Sequence, residues 1–217
     1  MNSYPLISCI CIAEGKPNSL KQAINCFNSQ NYPNRELVIG YSKGDQTTRH
    51  SLENTVGNED FKLITFSYCA RQTEEEIIKQ AIIKSTGTYV CIWNEEDWHH
   101  ESRISYQFNS MQLVGERFQA SSLTKFWIYD YLSGKSYLSA TKLWKQTTLF
   151  KKDIYLQSVS QKTNDLTQLD FVNLLFAKKM LFSIDGAPFL YIKSYHDGDS
   201  VIDLDEQSKQ KLIALLK

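Results

Sequence analysis

Asn94-Glu95-Glu96-Asp97 sets four oxygen-bearing side chains in a row directly after the apolar run Tyr89-Val90-Cys91-Ile92-Trp93. Clustered carboxylates where a buried strand opens into a loop are costly unless they face solvent, pair, or bind something positive. Hard divalent cations take carboxylate oxygens and often share them with phosphate oxygens, so Mg²⁺ or Mn²⁺ suits this donor set. The plainer alternative is an exposed acidic loop. Two further places carry groups able to do chemistry. Asp165 and Thr167 precede a stretch with helical periodicity, where either residue type caps a helix, and a carboxylate there can also take a proton from a hydroxyl. His196 stands before Asp197-Gly198, in the setting of a turn histidine.

The elements that must position these groups read as a strand-helix alternation. Leu6 to Ile12 is a short, nearly continuous apolar run, expected as a central strand covered on both faces. Ser19 to Ser29 carries Leu20, Ala23, Ile24 and Phe27 at helical spacing, and Asn31-Tyr32-Pro33-Asn34 breaks it before the strand Leu37-Val38-Ile39. A polar stretch from Thr47 to Val56, a strand over Lys62–Phe66, a helix near Thr73–Ser85 and the strand Tyr89–Trp93 repeat the pattern, which predicts a mainly parallel sheet. The second half is mixed. Arg103–Val114 reads as a helix, Leu123–Asp130 and Lys135–Leu143 as strands of a hairpin around Ser133-Gly134, and Thr167–Lys179 as a helix. Phe182-Ser183-Ile184 and Phe189–Ile192 read as strands, and a last helix follows Asp203 or Asp205 with Leu212, Ile213, Leu215 and Leu216 along its apolar edge.

The 217 residues balance 24 basic against 24 acidic side chains, which gives no electrostatic argument for a nucleic-acid partner. No apolar run approaches the roughly 20 residues needed to span a bilayer, and Met1–Pro5 shows neither a signal peptide nor an anchor, so the expectation is a soluble, cytoplasmic, single-domain chain. The five cysteines are odd in number and lack zinc-ribbon spacing, which reads as reduced core thiols.

Taken in order, several segments resemble the family 2 glycosyltransferases of the GT-A fold, over Pro5 to about Ser200. They are Pro5–Ile12; Leu20–Ile24 with Gln30–Ile39; Gly87-Thr88-Tyr89-Val90; and Asn94 to Ile104, which keeps the spacing of a family segment of four aspartates, a bulky spacer, proline, any residue, arginine and leucine. Leu143–Leu149 and Tyr191–Ser200 resemble segments of one bacterial branch, the latter its Tyr…His-Gly-Gly-Asn-Thr ending, and Lys162-Thr163-Asn164-Asp165 resembles the Gly-Glu-Asp motif that holds the catalytic base. The resemblance implies an α/β GT-A nucleotide-diphospho-sugar transferase fold, with a mainly parallel central sheet flanked by helices and a small antiparallel hairpin in the second half. It divides the chain into a nucleotide-sugar-binding half, 1–100, and an acceptor-side half, 101–217.

By the same resemblance, Glu96 takes the place of the metal-binding carboxylate, Asp97 stands with it among the metal-site residues and orients the loop, and His196 completes the metal shell, where imidazole suits Mn²⁺ better than Mg²⁺. Asn94 and Glu95 lie nearer the ribose and diphosphate, while Ala13, Glu14, Tyr41 and Lys79 occupy the remaining donor-binding positions. Asp165 is the base and Asp170 its fallback. Arg103 is structural, with a salt bridge to a nearby carboxylate expected, and His99 and His100 fall in spacer positions suited to surface or packing roles. Of the aromatics, Trp98, Trp127, Trp144, Tyr129, Tyr131 and Tyr137 suit either sugar stacking or core and hairpin packing. The implied reaction is inverting transfer from a nucleotide-activated sugar, UDP-linked, to a hydroxyl of a glycan or glycoconjugate acceptor, with Mn²⁺ or Mg²⁺. The implied setting is assembly of a bacterial cell-surface polysaccharide at the cytoplasmic side, with peripheral membrane association in keeping with it.

The chain departs from the family pattern at several positions. Gly40-Tyr41-Ser42-Lys43-Gly44-Asp45 replaces an Asp-Asp-Gly-Ser stretch, Ala13-Glu14-Gly15-Lys16 a Pro-Thr-Tyr-Asn stretch, and Ile78-Lys79 an Arg-Asn pair; Asn94 and Asn164 replace acidic residues. These changes keep open a second class, a pseudo-transferase that binds a glycan or protein without turnover. A nucleotidyltransferase ranks last, because no Gly-rich phosphate loop follows Ile12.

Overall fold

The computed structural model describes residues 4–55, 61–161 and 167–195. In chain order the elements are β1 (Ile7–Ala13), α1 (Pro17–Asn28), β2 (Arg35–Ser42), α2 (Gln46–Thr55), β3 (Lys62–Tyr68), α3 (Glu74–Lys84), β4 (Tyr89–Ile92), β5 (Trp98–His99), α4 (Arg103–Val114), β6 (Ala120–Leu123), β7 (Trp127–Asp130), β8 (Lys135–Leu138), β9 (Leu149–Lys151), α5 (Lys152–Gln161), α6 (Gln168–Ala177), β10 (Leu181–Ile184) and β11 (Tyr191–Tyr195). A seven-stranded sheet runs in the order β10-β6-β9-β4-β1-β2-β3, and a second sheet of four strands runs β5-β11-β7-β8.

β1 lies near the middle of the large sheet, parallel to β2 on one side and β4 on the other. Its alternation serves two cores. Ile7, Cys9 and Cys11 pack with Leu20 and Phe27 of α1 and Ile104 of α4, whereas Ile10 packs with Ile77 and Ala81 of α3. A strand buried on both faces has no polar side to show, which is why the run reads as continuously apolar. Four cysteines are buried in this sheet and α1, all free, and Cys69 is exposed.

Glu36 on β2 pins the start of these strands. It is fully buried, and its carboxylate accepts from Ser8 Oγ at 2.7 Å, Thr86 N at 2.5 Å, Thr86 Oγ1 at 2.6 Å and Gly87 N at 3.2 Å, with Lys62 Nζ at 3.1 Å. Gly87 has no room for a side chain, since an added Cβ would sit 2.4 Å from Ser8 Oγ and 2.8 Å from the Leu6 carbonyl oxygen. Burial alone would raise the Glu36 pKa; the hydrogen bonds from Thr86 and Ser8 and the Lys62 ammonium more than offset it, and the net direction is down. A depressed carboxylate stabilises the fold above its unfolded pKa, about 4.3, and that contribution is lost as pH falls through the folded value. Urea midpoints are therefore expected to drop between pH 7 and pH 3, and Glu36→Gln to lose stability at pH 7 while showing a shallower drop; an unchanged slope in the variant would refute this.

Several second-half expectations are corrected. The run Leu123–Asp130 is two strands: β6 belongs to the large sheet beside β10, and β7 belongs to the second sheet. Between them Thr124 turns the chain, its N–H donating to the Ile184 carbonyl at 3.1 Å and its own carbonyl accepting from Trp144 Nε1 at 3.0 Å. The hairpin of β7 and β8 forms in antiparallel register, ending at Leu138 rather than Leu143. Lys145–Thr147 is a single 3₁₀ turn, and β9 then runs antiparallel between β4 and β6, a strand the periodicity did not announce. Pro188–Leu190 forms another 3₁₀ turn, so the strand expected over Phe189–Ile192 begins at Tyr191. α6 starts with Thr167 as its cap: Thr167 Oγ1 accepts from Asp170 N at 3.1 Å, and Asp170 Oδ2 accepts from Thr167 N at 3.3 Å. That capping box occupies Asp170, the fallback base. Asp165, His196 and the last helix lie outside the described residues.

Candidate donor site at the ends of β1 and β4

The segment after β4 is held from below by a buried polar stack. The Trp93 indole donates to the Ala23 carbonyl at 3.1 Å, and the His99 ring stacks on it at 3.8 Å. Arg103, fully buried, lies over Trp93 and Tyr191, 5.3 Å and 5.0 Å from the ring centroids. Its guanidinium donates to the carbonyls of Ile92 at 3.0 Å and Gln146 at 3.1 Å, to Gln107 Oε1 at 3.2 Å, and to His99 Nδ1. Arginine only donates, so Nδ1 of His99 is the acceptor and its proton sits on Nε2, which donates to the Asn94 carbonyl at 3.0 Å. Burial, with the Arg103 charge adding, pushes the His99 pKa well below the ordinary value and keeps the ring neutral. The salt bridge expected for Arg103 is thus replaced by carbonyl, amide and imidazole acceptors. His99 packs as expected, and His100 bonds Ser102 Oγ at 2.8 Å.

Asp97 faces inward. Its Oδ1 accepts from Ser194 N at 2.8 Å, and its Oδ2 accepts from Asn94 Nδ2 at 2.6 Å and from the Tyr191 hydroxyl. Burial raises its pKa, against the pull of the Tyr191, Ser194 and Asn94 hydrogen bonds. With both oxygens engaged, Asp97 fastens the loop to β11.

Glu95 and Glu96 meet the loop after β1. Glu95 Oε1 accepts from Glu14 N at 2.8 Å, and Glu96 pairs with the Lys16 ammonium. Glu95 is 1% exposed, and its Oε2 has no hydrogen-bond partner among the described residues. Burial first, then the Glu14 and Glu96 charges, push its carboxyl up to about 7, although the Glu14 N–H and the Lys16 charge pull the other way. Asp45, at the end of the stretch that departs from the Asp-Asp-Gly-Ser pattern, lies beside this loop. An added Cβ on Gly15, whose φ is +79°, would be 3.5 Å from Asp45 Oδ2, a second buried carboxylate oxygen without a partner among the described residues. Its other oxygen accepts from Thr48 N at 2.9 Å in the first turn of α2.

A cavity of about 550 Å³ opens beside these groups. Its floor is Ile10, Ile12, Ile78 and Ile92, its rim carries Glu14, Asn94 and Glu96, and its far wall is Leu143, Trp144 and Lys145. Lys145 pairs with Glu74 at 3.1 Å across the rim. Ala13 ends β1, buried, with its carbonyl accepting from the Tyr68 hydroxyl at 3.3 Å. Tyr41 packs against the α1-side core and Lys79 is half-buried on α3; neither lines the cavity. Lys16 and Tyr191 were not singled out as site residues from the sequence. The pairing of β1 with β4 brings Lys16 to Glu96, and the pairing of β11 with β5 brings Tyr191 to Asp97.

Of the tetrad's carboxylates Glu96 is the one partly open to the cavity, its side chain 28% exposed, and Glu14 stands on the same rim; the described residues contain no group of three or more histidine, cysteine or carboxylate side chains placed to hold a metal ion. Mg²⁺-type sites commonly use one or two carboxylates and complete the shell with substrate phosphates, so Glu96 fits that donor set, whereas Asp97 is buried and both its oxygens already accept hydrogen bonds.

No protein-family model matches the chain, and no curated protein sequence matches it. Solved structures do. A mannosyltransferase from Pyrobaculum calidifontis, in complex with GDP-Man and Mn²⁺, superposes with a TM-score of 0.68 at 14% identity over 91% of this chain and 59% of its own. S. aureus TarS 1-349 in complex with UDP gives 0.65 at 11% identity, over 96% of this chain and 70% of its own, and with UDP-GlcNAc 0.63 at 11%, over 97% and 65%. The chain has the GT-A fold of these transferases and spans about three fifths of the length of the mannosyltransferase. No helix among the described residues is long and apolar enough to cross a membrane.

Proposed function

We propose that the chain is an inverting glycosyltransferase of family 2 type, moving a sugar from a nucleotide-activated donor, a UDP-sugar, to a hydroxyl of a glycan or glycoconjugate acceptor at the cytoplasmic side. The observation that carries this reading is the meeting of Glu14–Lys16 with Asn94–Glu96 at the mouth of the cavity, at the C-terminal ends of adjacent parallel strands, where open α/β sheets bind ligands. The GDP-Man, UDP and UDP-GlcNAc complexes of its structural neighbours support a nucleotide-sugar as the ligand. Residues 1–100 would bind the donor and 101–217 the acceptor.

Two buried carboxylate oxygens without partners among the described residues are costly, and a ligand offering N–H or O–H donors relieves that cost. Glu95 and Asp45 therefore hold the nucleoside, with Glu14 and Asn94 lining its path and Ala13, Tyr41 and Lys79 shaping the frame. Lys16 sets a cation beside the departing diphosphate. Glu96, with His196, would hold Mn²⁺ or Mg²⁺, which supplies Lewis-acid stabilisation of the leaving group when bound. Asp97 positions the loop. Asp165 takes the proton of the acceptor hydroxyl as its oxygen bonds to the anomeric carbon and the bond to the diphosphate breaks, a contribution of about 10²–10⁴-fold.

Asp165→Ala is expected to bind nucleotide as the parent does and to lose turnover by that factor, read by comparing calorimetric affinity with release of nucleoside diphosphate. Normal turnover in the variant would remove Asp165 from the mechanism. The second reading, a pseudo-transferase that binds a glycan or protein without turnover, is favoured by the existing Lys16–Glu96 pair and the neutral Asn94, and predicts no release of nucleoside diphosphate by the parent chain itself.

A further inference from the structure

The outer face of the second sheet carries a row of side chains that the donor site does not use. Ile192 on β11 is in register with Trp98 on β5 and with Trp127 on β7, and Trp127 with Leu138 on β8. Residues opposite one another share a face, and the next residues, His99, Tyr191, Ile128 and Tyr137, are buried on the other side. Trp98 and Trp127 are each 38% exposed. Being two strands apart, they stand about 10 Å from each other, close to the length of a disaccharide unit. Around the sheet edge the aromatic strip continues, Trp98 to His100 at 5.7 Å and His100 to Phe189 at 5.4 Å between ring centroids.

We propose that this row is a platform for a neutral saccharide chain, holding the more distant sugars of the acceptor while the reacting end lies in the cavity; it rests on the transferase reading. Aromatic faces suit the apolar faces of sugar rings, and uncharged Ser136 and Tyr129 flank the row along the strands, so nothing on it selects a charged ligand. The row is continuous with the site: Trp98 follows Asp97 directly, and Tyr191 and Ser194, which hold Asp97, sit on the central strand of the platform. A patch for anionic lipid would bring lysine or arginine into the row, and four side chains fall well short of the roughly 800 Å² per partner of a stable dimer.

The test is tryptophan fluorescence and calorimetry of the whole chain with cellohexaose, chitohexaose and maltohexaose, with UDP titrated in parallel. Binding of at least one hexasaccharide is expected, weakened about tenfold or more by Trp127→Ala and separately by Trp98→Ala, with UDP affinity unchanged in Trp127→Ala. Absence of binding to all three, or binding unaffected by both substitutions, overturns the platform. So does Trp127-dependent binding to vesicles of phosphatidylcholine and phosphatidylglycerol without saccharide binding, or a Trp127-dependent dimer in sedimentation. UDP binding without saccharide binding leaves the transferase reading in place and removes the platform; saccharide binding without any nucleotide binding does the reverse.

Discussion

Arg103→Met is expected to destabilise the chain by about 3 kcal/mol or more, the cost of leaving several buried neutral acceptors without their donor, seen as a lower urea midpoint. Methionine fills part of the space between Trp93 and Tyr191, so lost packing is not the main term. The carbonyls of Ile92 and Gln146, the Gln107 amide oxygen and His99 Nδ1 lose their donor inside the fold, and each orphaned acceptor costs about 1–3 kcal/mol before relaxation. Arg103→Lys should recover little, because one ammonium cannot serve acceptors spread over β4, α4 and the 3₁₀ turn before β9. The same change should weaken nucleotide binding, since His99 then loses the partner that fixes its proton toward the Asn94 carbonyl. A variant with parental stability would show that the guanidinium network contributes packing alone.

Glu96→Ala is expected to leave stability close to the parent and to lower transfer by about 10²–10³-fold, the scale of removing one electrostatic partner of a leaving group. Its carboxylate is partly exposed and its described partner is the exposed Lys16, an arrangement worth about 0–1 kcal/mol to folding. Stimulation by Mn²⁺ should vanish with the charge, and Glu96→Gln, which keeps the size, should behave like alanine. Retention of full Mn²⁺ stimulation in either variant would place the cation on other residues.

The first half was legible because its signals are local: apolar runs of strand length, helical spacing between them, and carboxylates directly after β4. The capping of α6 by Thr167 was legible too, as one of two readings of the same residues. What escaped depends on contacts distant in sequence. β9 is three residues long and takes its place from pairing with β4 and β6, so no periodicity announces it. The break at Thr124 is set by a strand sixty residues away. Arg103 reads as half of a salt bridge because charges usually pair with charges, and only the fold supplies carbonyls in their place. Asp45 stands past the end of β2, and only the turn there returns it to Gly15. For Asp97, the letters resemble a metal loop but cannot tell a carboxylate facing a ligand from one turned toward Tyr191 and Ser194.

The most direct test of the donor site is calorimetric titration of the purified chain with UDP, GDP and CDP, each with and without Mn²⁺, alongside Glu96→Ala. The account predicts binding of one nucleotide, strongest for UDP, that is tightened by Mn²⁺ in the parent and loses that dependence in the variant. A folded chain that binds none of the three, with or without metal, would contradict it.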